Sequence, residues 1–122
     1  DVERSRGLGD VYKRQRVELW KGWFEDTIDP WKNTHDGPIQ LLHVDGDLYS
    51  SAKTVLTKLN DRIVPGTVII FDEIANWRLA GKMSEWCNGE WLALLEWTNA
   101  FDRKIKPLAR SCLNQASIEV LK

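Results

Sequence analysis

Apolar positions along this chain recur at two different spacings, and the switches between them mark its elements. Val17 to Phe24 (VELWKGWF) is apolar enough for a strand, closed by Gly22 and followed by a polar turn at Glu25-Asp26-Thr27. A short helix is expected from Asp26 or Thr27 towards Trp31, and His35-Asp36-Gly37-Pro38 is a loop by composition. Ile39 to Val44 (IQLLHV) is a short apolar run ending on Asp45, the pattern of a strand buried on both faces. After Asp45-Gly46-Asp47 the period changes. Ala52, Val55, Leu56, Leu59 and Ile63 follow helical spacing, with Asp47 or Ser50 as the N-cap. Pro65-Gly66 stops that pattern, and Val68 to Phe71 (VIIF) is a second buried strand, ending on Asp72-Glu73. A Trp- and Gly-containing loop runs to Asn88-Gly89. Glu90 to about Asp102 is the next helix, with Trp91, Leu94, Leu95 and Phe101 on one face. Two last strands are expected near Ile105 to Ala109 and Ala116 to Leu121, the latter alternating with period two.

Strand, helix, strand, helix and a terminal strand pair specify an α/β fold with a largely parallel sheet and right-handed crossovers. In open parallel sheets, ligands bind beyond the carboxyl ends of the strands. Both apolar strands end there on acids: Asp45 on one, Asp72 and Glu73 on the other. Neighbouring strands lie ~5 Å apart, so adjacency would bring three carboxylates to one rim. Their mutual repulsion is relieved by a hard cation, and Mg²⁺ accepts carboxylates with water or substrate completing its shell. Taken singly, each acid is an ordinary loop carboxylate; taken together they predict a divalent-metal site. His43 lies along the strand and reads as structural, while His35 reads as an exposed loop residue.

Composition narrows the field without adding chemistry. The 122 residues suffice for one domain with a small core. The content of 43% hydrophobic and 29% charged residues is that of an ordinary globular protein. A net charge of -1 gives no electrostatic case for nucleic acid or anionic lipid. No apolar run approaches the ~20 residues of a membrane span. Cys87 and Cys112 form no metal or redox spacing and read as reduced thiols of a cytoplasmic protein. The seven tryptophans follow no repeat, so most of them are expected in the core or a pocket wall. Residues 1–15 (DVERSRGLGDVYKRQ) are basic and aperiodic, and Arg6 to Gln15 resembles a translated sequencing-adapter tail. They are set apart as a non-native or disordered arm, leaving 16–122 as the folded part.

The stretches His43-Val-Asp-Gly-Asp-Leu-Tyr-Ser-Ser51 and Val64-Pro-Gly-Thr-Val-Ile-Ile-Phe-Asp-Glu73 resemble the macrocin O-methyltransferase family of class I S-adenosylmethionine-dependent methyltransferases. Gly22-Trp-Phe-Glu-Asp-Thr27 and Gly89-Glu-Trp-Leu-Ala-Leu94 are similar to the flanking family segments. The resemblance implies a partial Rossmann-like sheet, mostly parallel, with a reversed C-terminal strand and without the first strands. It implies S-adenosylmethionine as cofactor beside Gly22, Trp23, Phe24, Glu25 and Asp45. It also implies Mg²⁺ on Asp45, Asp72 and Glu73. The partner would be a small-molecule or sugar hydroxyl, with neither nucleic acid nor membrane, and an oligomer is allowed.

Two departures bear on mechanism. The family commonly has Asp-Asp-Tyr where this chain has Asp72-Glu73-Ile74, and the longer arm of Glu73 moves the ligand oxygen. Catechol-type relatives place a lysine base three residues after the first metal aspartate; that position is Leu48 here, so no catalytic base is assigned. The glycine-rich cofactor turn and the acid after the second strand are not in the chain, which by itself is expected to be inactive. Trp77, Trp86 and Trp91 follow the acids as packing residues or as walls of an acceptor pocket, and Tyr49 is expected to pack the strand–helix junction. Two rival readings stand beside this one. One is a non-catalytic Rossmann-like binding module; the other is a P-loop ATPase fragment with Val68-Ile-Ile-Phe-Asp-Glu73 as a Walker B strand, which leaves the DGDLY block unexplained.

Overall fold

A computed structural model describes residues 16–46, 48–74, 89–111 and 114–122. Among them are helix α1 (Phe24–Thr34), strand β1 (Ile39–Val44), helix α2 (Tyr49–Lys58), a 3-10 turn (Asn60–Arg62), strand β2 (Ile63–Phe71), helix α3 (Glu90–Ala100) and strands β3 (Ile105–Arg110) and β4 (Ala116–Val120). The four strands form one sheet in the order β1-β2-β4-β3. β1 and β2 are parallel, and β4 runs antiparallel to both of its neighbours. The last strand is therefore the reversed one, inserted between β2 and β3, and the fold is α/β as the sequence pattern implies.

Period two in the strands decides which face is covered. Ile69 and Phe71 of β2 pair with Ile118 and Ala116 of β4, and Val44 pairs with Phe71. Val44, Ile69, Phe71, Ile118 and Val120 form one cluster with Ile28 of α1, Ala52, Val55 and Leu56 of α2, and Ala93, Leu94 and Trp97 of α3. The intervening positions Leu41, His43, Val68 and Ile70 lie on the more exposed face. β1 is an edge strand among the described residues. Only Val44 of it is buried, and Leu41 is 60% exposed. The expectation of a strand covered on both faces is thus corrected.

Three other expectations change. The strand at Val17 to Phe24 does not form. No described strand pairs with it, and Phe24 instead opens α1, whose first turn is closed by Asp26 and Thr27 amides on the Trp23 carbonyl, both at 3.0 Å. Glu25 and Asp26 in that turn, and Lys32 in the last, complement the helix dipole. α2 has Leu48 as N-cap with no side-chain cap bond, so Ser50 sits inside the helix, and Asp47 lies outside the described residues. Ile63 opens β2, because the 3-10 turn ends the helix first. β2 then runs through Pro65-Gly66, where the register jumps from Ile39↔Ile63 to Leu41↔Val68. Gly66 takes φ +99 in this bulge, and the buried Thr67 bridges it, its hydroxyl donating to the Ile39 carbonyl at 2.6 Å and accepting from the Val64 amide at 3.1 Å.

The face of α3 also differs from expectation. Its buried residues are Glu90, Ala93, Leu94 and Trp97, whereas Leu95 and Phe101 are exposed at 44% and 40%. The buried set has helical i, i+3, i+4, i+7 spacing, but it includes an acid and an alanine where the larger apolar side chains suggested another stripe. Polar staples fix the helices at the start of β2. Arg103 donates to the Ile63 carbonyl at 2.7 Å and lies over the Trp97 ring, and the Trp97 indole N–H donates to Asn60 at 2.9 Å. Lys32 binds the Lys58 carbonyl and Asp61, which it holds below the usual carboxylate range. Tyr49, partly buried against the core cluster, donates its hydroxyl to Glu96 and so joins α2 to α3. Leu94→Ala should cost about 2–5 kcal/mol. Leu95→Ala should stay near the ±0.5 kcal/mol of roughly neutral surface changes. Equilibrium denaturant unfolding of the two variants separates these outcomes.

Candidate functional site

The parallel pairing of β1 and β2 sets the site. Val44 and Phe71 are Cα partners, so the chain leaves both strands on the same side, into Asp45 and Asp72. The Asp72 amide donates to the Val44 carbonyl at 3.0 Å, carrying the ladder one step past the strands. The two strands that end on acids are therefore adjacent and parallel, as their apolar runs imply. His43 stands on the same face as Asp45, two residues earlier, and its Nε2 lies 3.5 Å from Asp72 Oδ1. Its side chain is 52% exposed, so it is a rim residue rather than a buried structural one. Same-face spacing with Asp45 was the signal in the sequence that pointed there.

Glu73 follows in a turn held by amides. Its N–H donates to Glu90 Oε1 at 2.8 Å, and the Ile74 N–H donates to the Asn114 carbonyl at 3.0 Å. Asp45 and Glu73 are exposed at the rim, while the Asp72 side chain is 31% exposed. Among the described residues, no group of three His, Cys, Asp or Glu side chains is gathered closely enough to hold a metal ion. The donor chemistry nevertheless suits Mg²⁺ as a two-carboxylate site, because that ion is commonly held by one or two carboxylates with water and substrate oxygens. Asp45 and Asp72, on adjoining strand ends, are the carboxylates that could serve as such donors.

A cleft of about 430 Å³ opens beside this rim, lined by Gly22, Trp23, Phe24 and Glu25 from one segment and by Gly46, Leu48, Ser50, Ser51 and Thr54 from another. Four of the five residues expected to bind a cofactor thus share one cleft, and the fifth, Asp45, precedes Gly46 in the chain. Both glycines are sterically required. Gly22 has φ +141, and a Cβ on Gly46 would stand 2.7 Å from Ser51 Cβ and 3.2 Å from Phe24 Cε2. Their small size lets the two segments meet. Trp23 (76% exposed) and Phe24 (40%) present aromatic surface there, and Leu48, in place of a lysine, is 62% exposed.

A second, larger groove of about 710 Å³ lies along β1, lined among others by Trp20, Trp31, His35, Leu41 and Leu42. His35 is not the exposed loop residue expected. It is half-buried, stacked on Trp31 at 4.8 Å, edge-on to Trp20, and 3.0 Å from Glu18. The Trp20 indole N–H, and then His35, hold Glu18 below the usual carboxylate range. These contacts tie the irregular segment before α1 to the end of that helix. Trp91 packs on the core cluster; Trp77, Trp86, Cys87, Cys112 and residues 1–15 lie outside the described residues. No helix of the described residues is long and apolar enough to cross a membrane.

A curated relative, 8-demethyl-8-(2,3-dimethoxy-alpha-L-rhamnosyl)-tetracenomycin-C 4'-O-methyltransferase of Streptomyces olivaceus, is 38% identical over 60 residues, 49% of this chain and 22% of the relative. The O-methyltransferase NovP superposes with a TM-score of 0.65 at 24% identity, covering 87% of this chain and 38% of NovP. A TDP-rhamnose 3'-O-methyltransferase of calicheamicin biosynthesis, CalS11, gives a TM-score of 0.61 at 22% identity over 81% of this chain and 40% of its own. The chain thus spans well under half the length of these proteins, and the solved structures speak to the fold: it is a partial Rossmann-like sheet of the class I methyltransferase kind. The profile of the macrocin-O-methyltransferase (TylF) family matches residues 8–87, about two-thirds of the sequence. The chain belongs to the macrocin O-methyltransferase family.

Proposed function

We propose that the protein carrying this chain transfers the methyl group of S-adenosylmethionine to a sugar hydroxyl of a small molecule, with Mg²⁺ at the rim of the sheet. The observation that carries this reading is the sharing of one backbone segment by cleft and rim. Gly46 lines the cleft with Gly22 to Glu25, and the preceding residue, Asp45, stands beside Asp72. The tetracenomycin relative and CalS11 are named for rhamnosyl or rhamnose hydroxyl methylation, which supports a sugar acceptor. The binding-module and ATPase readings have no comparable support.

Bound S-adenosylmethionine supplies an activated methyl group, and a divalent cation supplies positive charge that orients a hydroxyl and eases its deprotonation. The chain's own residues supply placement. Trp23 and Phe24 offer apolar faces to a planar base, with Glu25 at the same lip as a hydrogen-bond acceptor. Asp45 and Asp72 would hold the cation, with water and substrate oxygens completing its shell. Holding the acceptor oxygen behind the methyl carbon is the main task, since orientation alone supplies roughly 7–11 kcal/mol in favourable cases.

Isothermal titration of the upstream-extended protein that carries this chain, with S-adenosylmethionine and with Mg²⁺, tests both ligands. Saturable binding of each is expected, and Asp45→Ala combined with Asp72→Ala should abolish the Mg²⁺ heat. Undiminished Mg²⁺ affinity in that double variant rules out the metal assignment. Gly46→Ala should destabilise the protein by about 1–3 kcal/mol through overpacking against Ser51 and weaken S-adenosylmethionine, with Mg²⁺ much less affected. Unchanged cofactor affinity in a folded Gly46→Ala protein would show that the cleft is not the cofactor site.

A further inference from the structure

Glu90 begins α3 and is 0% exposed. An acid in a first helical turn gains from the dipole while staying in water, and burial adds a solvation cost that must be offset by hydrogen bonding. Glu90 instead occupies the core-facing stripe with Ala93, Leu94 and Trp97. Its Oε1 accepts the N–H of Glu73 at 2.8 Å, seventeen residues back along the chain. That N–H belongs to the peptide linking Asp72 to Glu73, between the two acids of the rim.

We propose that Glu90 is a positioning residue for the acidic turn: its buried carboxyl group clamps the Asp72–Glu73 peptide and so sets the direction in which both side chains leave the sheet. Three consecutive amides hold this turn. Asp72 is held by β1 through the Val44 carbonyl, Glu73 by α3 through Glu90, and Ile74 by the approach to β4 through the Asn114 carbonyl. Two of the three acceptors are backbone. Glu90 is the one side chain among them, and thus the one whose identity a substitution can change. The role rests on the reading of Asp45 and Asp72 as the cation-binding pair, and it touches neither ligand directly.

The test uses amide hydrogen exchange and Mn²⁺ titration of the full chain. In Glu90→Ala, the Glu73 amide should exchange at least ~10-fold faster relative to Ile74, and Mn²⁺ affinity should fall about 10- to 100-fold, as when a residue supporting a metal ligand is removed. Glu90→Gln, whose amide oxygen can accept the same bond, should keep both near wild type. If Glu90→Ala does not fold, Glu90→Asp probes the same contact with a shorter arm and should also speed Glu73 exchange. A purely structural loss would accelerate all amides together. Glu73 exchange unchanged relative to Ile74, or Mn²⁺ affinity unchanged in both Glu90→Ala and Glu90→Asp, overturns the proposal. If the wild-type chain takes up no Mn²⁺ while the Glu73 amide still responds to Glu90, the metal reading fails and the clamp stands.

Discussion

The parallel pairing of β1 with β2 is the constraint from which the rest of this structure follows, because parallel strands deliver their ends to one lip. In an antiparallel pair, the residue after one strand and the residue after the other would stand at opposite ends of the sheet. Here Val44 and Phe71 are partners, and Asp45 and Asp72 leave together. Register matters as much as direction, since a one-residue slip would move every side chain to the other face. The strands enter with unequal lengths, and the difference is absorbed at Pro65-Gly66, where Thr67 ties the bulge to Ile39. Beyond it, Leu41 to Val44 and Val68 to Phe71 pair one to one. The irregularity sits at the far end from the acids, so the rim inherits a regular ladder.

Stability and site occupy opposite ends of the same strands. At the start of β2, Arg103 and Arg62 clamp backbone carbonyls of β2 and of the α1 terminus, while Lys32 joins α1 to the end of α2. Charged side chains bound to partly buried carbonyls are directional and strong compared with exposed ion pairs. At the carboxyl end the cationic staples give way to consecutive backbone amides in the turn after β2, one of them held by Glu90, and to close glycine contacts at the cleft. That division suits a binding edge, where bulky side chains would fill the space that a ligand needs.

How much of this was legible in the sequence depended on whether a signal was local. The runs IQLLHV and VIIF are short, apolar and closed by acids, and they became the two strands expected of them. The helix after DGDLY and the terminal strand pair were equally plain. Val17 to Phe24 misled because apolar content does not make a strand without a partner strand, and acids at 25 and 26 favoured a helix start instead. α3 misled because large apolar residues marked Leu95 and Phe101, while the buried stripe begins with Glu90. That choice depends on what lies seventeen residues earlier, which no local period reveals. The rim acids were found from strand ends alone, whereas His43 was assigned to the interior because β1 was taken to be covered on both faces.

The same reasoning explains why a histidine stands among carboxylates at this edge. Two acids released side by side repel each other, and the strand ladder fixes their backbones so that they cannot move apart. The repulsion is eased by water, by a cation or by a donor on the sheet itself. His43 faces Asp72 from the one position on β1 that shares a face with Asp45 and lies diagonal to Asp72. The ring Nε2 stands 3.5 Å from Asp72 Oδ1, and the carboxylate oxygens still have lone pairs left for a second partner. The rim is thereby supported from below by the strand, from behind by the turn amides, and from the side by an imidazole, while solvent retains access to it. Such support fixes the backbone from which both carboxylates leave before any ligand arrives, which is what the proposed cation role would require of them.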